Sequence, residues 1–258
     1  MSSVRVHVVS DVHDAGDDLA RAADGADLLI CLGDLILFLD YADSSQGMYA
    51  ELFGAEATEL YIALRTSGRF DEAREHSAEL WRRLGEDRAT VMQRKIREQY
   101  ERLFDAMPTP AYLTYGNVDV PSLWGEYLRD GHTVLDGQTA VIGGLTFGFV
   151  GGGLTSAYRT PYELSDADFA AKVSALGPVD VLCTHIPPAL PEVTYDVVAR
   201  RFERGSATLL DYLVEYQPRL HLHGHVHQPL APRARVGRTE VVNVGHFRGR
   251  RTPFALTW

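Results

Sequence analysis

The stretch VRVHVVSDVHD, residues 4–14, places a run of valines directly before a D-x-H triplet. An apolar run of this length is typical of a buried strand in a central sheet. A second run, DLLICLGD at 27–34, also ends in an acid, and DDLARAAD between the two has the pattern of a short amphipathic helix. This β-α-β order predicts an α/β fold in which a ligand binds outside the carboxyl ends of the strands.

Further apolar runs resume after residue 110, and most of them end in Gly, Asp, Asn or His. They are AYLTYGN (111–117), TAVIGGLTFGFVGGG (139–153), VDVLCTH (179–185), PRLHLHGH (218–225), TEVVNVG (239–245) and FALTW (254–258). The second of these predicts a two-stranded hairpin. Because the chain contains no internal repeat and no low-complexity linker, we expect residues 1–258 to form a single domain.

The segment 40–107 differs from the rest, since it is rich in Ala, Glu, Arg and Leu and lacks proline. Apolar residues recur at helical spacing over 70–104, and a shorter helix is expected around 48–65, with Gly68 between them. We therefore predict an inserted helical hairpin over 40–107. Its expected role is a cap over the site or an arm that forms a homodimer, and plain packing against the body is the alternative.

Composition narrows the function. A chain of 258 residues with 45% hydrophobic residues suits one large α/β domain or two small ones, with a substantial core. The net charge of −10 disfavours a long nucleic acid as partner but admits a small phosphorylated substrate, because bound cations reverse the local sign. We find no membrane span and no signal segment, and we expect a cytoplasmic protein. Cys31 and Cys183 lie in apolar runs and are expected in the core.

Seven polar residues close the predicted strands and would meet at one edge of the sheets. They are Asp11, His13, Asp34, Asn117, His185, His225 and His227. Two pairs are spaced i, i+2, which places both members on one side of an extended backbone. Such a set of nitrogen and oxygen ligands without thiolate suits Mn, Fe or Zn and disfavours Ca. Seven ligands are too many for one ion, so we expect two ions that share Asp34 as a bridge.

In chain order the motifs read D-x-H, G-D, G-N-x-D, T-H-x-P-P and G-H-x-H. This order, from residue 11 to residue 227, resembles the calcineurin-like metallophosphoesterase family. The resemblance implies a four-layer α/β/β/α sandwich of two mixed sheets. It also implies that the seven residues divide between two divalent or trivalent ions: one held by Asp11, His13 and His227, the other by Asn117, His185 and His225, with Asp34 bridging them.

The activity that the resemblance implies is hydrolysis of a phosphoester. A hydroxide that bridges the two metal ions would attack the phosphorus, and Asp34 and Asn117 would take part in this catalytic centre. A small phosphodiester is the favoured substrate, with a phosphomonoester as the alternative.

The third motif departs from the family pattern, because many members read G-N-H-D or G-N-H-E where this chain reads GNVD. Val118 cannot donate a proton, and a positioned general acid contributes about 10²–10⁴-fold to a rate. We therefore name two substitutes, His246 in NVGHF and His223 in HLHGHVH. Arg159, which follows the GGG of 151–153, is a candidate for binding the phosphate together with Asn117. Asp119 is expected to support its loop.

Two other hypotheses stay open, and the valine supports the first of them. One is a catalytically weak scaffold of the same fold that binds metal and acts as an interaction module, although such a protein has no need of seven intact ligands. The other is a metal-dependent enzyme that acts on a different ester, which the fold class does not exclude.

Overall fold

The computed structural model describes residues 3–258, and its strands are short. In chain order they are β1 (Arg5–Val9), β2 (Leu28–Cys31), β3 (Ala111–Leu113), β4 (His132–Val134), β5 (Gln138–Ile142), β6 (Leu145–Val150), β7 (Gly153–Leu154), β8 (Glu163–Leu164), β9 (Val181–Thr184), β10 (Tyr195–Asp196), β11 (Arg201–Phe202), β12 (Leu220–His223), β13 (Arg233–Val236), β14 (Thr239–Asn243) and β15 (Phe254–Thr257).

The helices range from a single turn to nineteen residues. In chain order they are α1 (Gly16–Leu19), α2 (Met48–Phe53), α3 (Ala55–Thr66), α4 (Phe70–Leu84), α5 (Arg88–Ala106), α6 (Pro121–Trp124), α7 (Asp166–Ala175), α8 (Pro191–Thr194), α9 (Ala207–Tyr216) and α10 (Phe247–Arg250). Within residues 3–258 no helix is both long and apolar enough to cross a membrane.

The larger strands form two mixed sheets. The first has the order β15-β1-β2-β3-β4, in which β1 to β4 run parallel and β15 is antiparallel to β1. The second has the order β13-β14-β12-β9-β6-β5, with four parallel central strands and an antiparallel strand at each edge. The predicted mixed α/β fold of two large sheets is thus confirmed.

The two sheets are joined by an apolar core that the period-2 pattern of their strands creates. Val6 and Val8 face this core from β1, and Phe147 and Phe149 face it from β6. His7, between the two valines, points to the other face of its sheet, where its Nδ1 donates to the Ala22 carbonyl at 2.8 Å. Each fully buried phenylalanine contributes about 1.5–3 kcal/mol relative to an exposed one.

A second apolar core lies on the outer face of the second sheet, under helices α7 and α9. Both helices begin at a serine that caps the first turn: Ser165 Oγ accepts from the Asp168 N–H and Ser206 Oγ from the Leu209 N–H. Buried Phe169 and Leu213 then pack on this face of the sheet.

Residues from Ile36 to Arg102 form a compact unit of their own, distinct from the unit that contains both sheets. Where the sequence predicted two helices, the structure has four, since Gly54 separates α2 from α3 and the long apolar periodicity divides at Gly85. Gly85 adopts the left-handed conformation that commonly ends a helix. Inside the unit, Tyr49 stacks on Tyr61 at 4.5 Å between ring centroids. The role of this segment as an inserted cap or dimer arm stays a prediction.

Parallel pairing aligns the ends of the strands that precede the motifs. Val9, Cys31 and Leu113 are the last residues of β1, β2 and β3, and they pair with one another in register. Val150 and Thr184 pair in the same way at the ends of β6 and β9. The loops that follow these strands therefore emerge along a common edge. Cys31 and Cys183 are buried and free, as the sequence predicts.

The first testable prediction concerns the loop after β2. Gly33 has φ +93°, and a Cβ added there would lie 1.9 Å from the backbone nitrogen of Gly116. Gly144 in the β5–β6 turn has a similar φ of +82° but open space around the added atom, so it is a matched control. We expect Gly144→Ala to cost about 1–2 kcal/mol from the left-handed backbone alone. Gly33→Ala should cost at least about 2 kcal/mol more, because the backbone must also move apart.

The measurement is the free energy of unfolding in urea, followed by circular dichroism for the wild type and the two variants. Equal losses in the two variants would show that the close approach at Gly33 does not constrain the fold.

Candidate metal centre

Asp11, His13 and His227 come together although the chain separates the first from the last by 216 residues. Asp11 is buried, and its Oδ2 accepts the His225 backbone N–H at 2.9 Å. Its Oδ1 lies 3.5 Å from Nε2 of His227. The Nε2 atoms of His13 and His227 face each other at 3.3 Å. These three side chains thus direct their ligand atoms at one place.

His185 and Asn117 form a second group. The Nδ1–H of His185 donates to the Leu32 carbonyl at 2.9 Å, which directs Nε2 toward Asn117 Oδ1 at 3.0 Å. The Asn117 Nδ2 donates to Thr160 Oγ1 at 3.1 Å, and this contact fixes which end of the amide faces His185. His225 completes the group, because one of its ring nitrogens lies within 4.8 Å of a carboxylate oxygen of Asp34 and of a ring nitrogen of His185.

Asp34 lies between the two groups. Its Oδ2 is 3.9 Å from Nε2 of His13 and 3.4 Å from Nε2 of His185. Its Oδ1 accepts the backbone N–H of Val118 at 2.9 Å, so the carboxylate is held in place by the third motif. One carboxylate therefore reaches toward both sets of imidazoles.

The chemistry of the donors fits metal ions. Imidazole nitrogens and carboxylate or amide oxygens converge without any thiolate, which is a set suited to Mn, Fe or Zn. Asp11 Oδ1 is buried and accepts no hydrogen bond from any of the residues 3–258, so a cation would satisfy it. The His185 Nδ1–H is tied to a carbonyl, a contact that orients the opposite nitrogen of a metal-binding histidine.

The backbone reaches this geometry through left-handed residues. Asp11, His13, Asp34 and His225 have φ of 57°, 44°, 55° and 67°. The expectation that the i, i+2 pairs lie on extended strands is therefore wrong, because both pairs follow the last strand residue and turn sharply. Each such residue stores strain of about 1–3 kcal/mol, which persists at functional sites where neighbouring contacts hold it.

Motif glycines allow the loops to touch. A Cβ on Gly116 would lie 2.0 Å from Asp34 Oδ1, and one on Gly224 would lie 1.9 Å from Ser10 Oγ. The glycines of G-N-x-D and G-H-x-H are thus required by space. The last glycine of GGG has the same function, since its Cβ would lie 2.6 Å from the Cβ of Asn117.

Asp119 ties two of these loops together, as the sequence predicts. Its Oδ2 accepts the N–H groups of Asp34 and Gly116, both at 2.8 Å, and its Oδ1 accepts that of Leu35 at 3.0 Å. Burial, together with the nearby charge of Asp34, raises the pKa of Asp119 to about 7. The two oxygens of this carboxyl group thus hold the loops after β2 and β3 together through three backbone N–H groups.

The carboxylates and histidines of the site shift one another's pKa values. Burial by itself would lower the pKa of His185, but the Asp34 carboxylate reverses this effect and raises the pKa to about 9. Burial by itself would raise the pKa of Asp11 and Asp34, yet the surrounding histidines hold both below the ordinary value. The carboxylates are therefore ionised at neutral pH, and His185 carries a proton that a cation has to displace.

His246, one of the two candidate acids, lies beside the first group. Its ring stacks on that of His227 with a centroid separation of 3.9 Å and an interplanar angle of 3°. Its centroid is 5.7 Å from that of His13. The half-buried ring precedes helix α10 and borders the metal ligands.

His223, the other candidate, is fully buried at the end of β12, with Nδ1 3.2 Å from the Gly224 carbonyl. Its Nε2 has no hydrogen-bond partner among residues 3–258. Burial lowers its pKa to about 4. His221, two residues earlier, is a core residue whose Nε2 contacts Thr184 Oγ1 at 2.8 Å.

Arg159 is exposed, with φ 52°, on the loop that follows β7. The next residue, Thr160, is the one that contacts Asn117, and sequence reasoning missed it. Glu163 was missed as well: its Oε1 accepts both the N–H and the hydroxyl of Thr160, at 3.0 and 2.9 Å. No spacing signal marks these residues, because their role arises from a loop folding back on a distant motif.

Arg248 is a third residue that the sequence did not reveal. Its guanidinium donates to the His13 carbonyl at 2.8 Å, and its backbone N–H donates to the Asp11 carbonyl at 3.2 Å. The only signal was its position in NVGHFRGR, directly after the candidate His246.

Solved structures of other proteins share this fold. One solved structure superposes with a TM-score of 0.60 at 17% identity, covering 95% of this chain and 92% of that chain. The crystal structure of TT1561 of Thermus thermophilus superposes with a TM-score of 0.54 at 13% identity, covering 100% of this chain and 99% of that chain. At these identities the two likenesses show the fold alone. No curated protein sequence matches the chain significantly.

The sequence model of the calcineurin-like phosphoesterases matches residues 4–229, which include both sheets' motif-bearing strands and all seven residues of the candidate metal centre. With this match over most of its length, the chain belongs to the calcineurin-like phosphoesterase family.

Proposed function

We propose that the protein is a dinuclear metal-dependent phosphoesterase that hydrolyses a small phosphodiester. The observation that carries this proposal is the position of Asp34, whose Oδ2 lies within 4 Å of an imidazole from each ligand group. A carboxylate so placed can be shared by two cations. Membership of the phosphoesterase family supplies the reaction class.

In this proposal each ligand group holds one ion. Asp11, His13 and His227 hold the first, Asn117, His185 and His225 hold the second, and Asp34 belongs to both. When bound, such a pair of Mn, Fe or Zn ions would neutralise charge on the phosphate oxygens and lower the pKa of a water molecule. The protein's own contribution is to keep the ligands oriented through contacts such as that of His185 with Leu32.

Hydrolysis joins a water oxygen to phosphorus and breaks the bond from phosphorus to the alcohol, whose oxygen then takes up a proton. We propose His246 as the donor of that proton, because it borders the ligands while Val118 has no proton to give. His223 is less suited, since a histidine with a pKa of about 4 is unprotonated at neutral pH. Arg159, on its exposed loop, is proposed to bind a substrate phosphate together with Asn117.

The second candidate function is a metal-binding scaffold, and Val118 is the observation that favours it. Its backbone N–H supports Asp34, but its half-buried side chain contributes no polar group. The two functions differ in one measurable respect, because a scaffold binds metal without turning over a phosphoester.

The net charge of −10 supports a small phosphorylated substrate rather than a long nucleic acid. The unit from Ile36 to Arg102 is proposed to act as a cap or as the arm of a homodimer. The cytoplasmic location stays a prediction.

The proposal predicts that Asp34→Asn removes both metal and activity. Losing the shared carboxylate removes a charge from both ion sites, so occupancy by Mn²⁺ should fall from two ions to fewer than one. Hydrolysis of a bis-aryl phosphate should fall by about 10³-fold or more, the scale on which a lost metal ion matters. Asp24→Asn removes the same charge from an exposed position and is the matched control.

Metal content by elemental analysis and rates on bis-aryl and mono-aryl phosphates measure these effects. Full activity in Asp34→Asn would refute the shared ligand. A wild type that binds two ions and hydrolyses neither ester would favour the scaffold instead.

Metal binding should release protons. Because Asp34 raises the pKa of His185 to about 9, the metal-free protein holds a proton there at neutral pH, and the ligand must be neutral imidazole. Affinity for Mn²⁺ should therefore rise with pH up to about 9, by at most roughly tenfold per pH unit for each proton released. Calorimetric titrations in buffers of different ionisation enthalpy measure the proton count. An affinity independent of pH over this range would contradict the proposed ligand role of His185.

The contact between Thr160 and Asn117 predicts a selective effect on the second ion. Thr160→Val removes the hydroxyl that fixes the Asn117 amide, and we expect the affinity of that ion to fall by about 10–100-fold. Thr160→Ser keeps the hydroxyl and should bind as the wild type does. Titration with Mn²⁺ resolves the weaker ion from the unaltered one, and equal weakening of both ions, or of neither, would exclude this positioning role.

A further inference from the structure

A cavity of about 370 Å³ opens on the side of the metal centre where His227 lies. Its size is at the lower end of the range of small-molecule sites, which is about 300–1,000 Å³. The residues that border it come from the loop after β12 and from helix α10 with its cap. They include His227, Gln228, Pro229, Pro232, His246 and Arg250.

Rings make up much of the lining of this cavity. His227 and His246 are stacked on each other, so only the outer faces and edges of this pair can border the cavity, and Pro229 and Pro232 border it as well. Planar groups pack well against such surfaces, because offset stacking gains contact without ordering flexible side chains. A ligand with a planar ring would therefore find ring side chains to pack against in this cavity.

The stacking also separates His246 from the ligand set. His13, His227 and His246 have ring nitrogens within 4.8 Å of one another, which by itself fits a three-histidine site. A ring nitrogen binds a cation in the plane of its ring, however, and the planes of His227 and His246 are parallel and displaced. The two rings cannot both direct a lone pair at the same ion in this arrangement. His246 thus belongs to the wall between the metal centre and the cavity.

Arg250 brings a positive charge to the cavity. Its guanidinium lies against Gly245, where an added Cβ would be 2.9 Å from Nη1. Among residues 3–258 no carboxylate forms an ion pair with Arg250, whereas the neighbouring Arg251 pairs with Asp18. In a chain with ten more acidic than basic residues, an arginine without a carboxylate partner beside a cavity is available to an anion.

We propose that this cavity binds the alcohol portion of the phosphoester, and that this alcohol is planar and carries an anionic group that pairs with Arg250. The inference rests on the proposed phosphoesterase activity and names its substrate class. The anionic group is a carboxylate or a second phosphate, since the guanidinium recognises either in the same bidentate way. His246 then lies between the phosphorus and the planar group, where the ester bond breaks.

A pair of substrates with and without a charge on the aryl ring tests this proposal. The probes are bis(4-carboxyphenyl) phosphate and the corresponding bis(methyl ester), whose leaving phenol is uncharged but is also the more acidic one and so the better leaving group. The readout is therefore a comparison between variants: the ratio of kcat/KM for the carboxylate to kcat/KM for the ester should be about fivefold to tenfold higher in the Mn²⁺-loaded wild type than in Arg250→Gln, and this difference is the effect of the guanidinium. Arg250→Lys, which keeps the charge without the planar fork, should keep part of it.

Arg235→Gln is the matched control, because it removes an exposed arginine that does not border the cavity. It should leave the ratio of the two kcat/KM values unchanged. An equal ratio in the wild type and in Arg250→Gln, with both esters hydrolysed, would overturn the proposed anionic subsite and leave the phosphoesterase activity standing.

Binding of the product phenol decides the matter independently of turnover. 4-Hydroxybenzoate should bind to the Mn²⁺-loaded wild type several-fold more tightly than its methyl ester, and this difference should disappear in Arg250→Gln. If neither ester is hydrolysed, the proposed activity fails, yet this measurement still confirms or refutes the subsite. Equal binding of acid and ester to the wild type refutes it.

Discussion

The centre depends on a close contact between backbone loops that leaves no room for a Cβ. Gly33 meets the backbone of Gly116, Gly116 meets the Asp34 carboxylate, and Gly224 meets Ser10 and Asp11. The first two contacts join neighbouring loops of one sheet, whereas the third joins the two sheets. Because the sheets are held by an apolar core that is non-directional, the contact at Gly224 helps to fix the ligand loops of one sheet relative to the other, together with hydrogen bonds such as that of His185 with the Leu32 carbonyl. The spacing of the ligands follows from them.

The contacts also explain how four ligands persist in a left-handed conformation. Asp11, His13 and Asp34 have their N–H groups bound to the Gly33 carbonyl, the Asp34 carbonyl and the Asp119 carboxylate. The N–H of His225 is bound in turn by Asp11 Oδ2. Strain at each residue is thus offset by a hydrogen bond to another motif, so the motifs stabilise one another and none forms the site alone. Burying the Asp119 carboxyl group costs desolvation free energy. Its hydrogen bonds with three backbone N–H groups offset this cost.

The strands could be predicted from the sequence because they are periodic apolar runs. The seven converging residues could be predicted because each follows such a run in a fixed order of motifs. VRVHVV, LLIC and VLCT appear as buried strands close to their predicted bounds, and each motif follows a strand end. Sequence reasoning missed β13, whose sequence RARV has the exposed arginines of an edge strand and no apolar run. It also could not locate Thr160, Glu163 and Arg248, since their contacts depend on tertiary folding of loops. The wrong expectation for the i, i+2 pairs has a related cause. Periodicity predicts the direction of a side chain on a strand, but these ligands lie in the loops just beyond the strands. There Asp11, His13 and His225 have a positive φ.

The residues after β14 contain none of the five family motifs, yet they make several contacts with the candidate metal centre. Within five residues they place His246 on the His227 ring, bind the His13 carbonyl through Arg248, and bring Arg250 to the cavity. Asn243, the last residue of β14, donates from Nδ2 to the Val226 carbonyl at 2.9 Å, between the two histidines of the last motif. Val118 leaves the third motif without a side-chain donor on the first sheet, while this segment supplies polar groups from the second. The loops of both sheets meet at a single edge. A polar side chain from the second sheet can therefore act in the same reaction as one that the first sheet lacks. Under the proposed function, Val118 is therefore interpreted together with His246, the proposed proton donor, and Arg250, the proposed anion-binding residue.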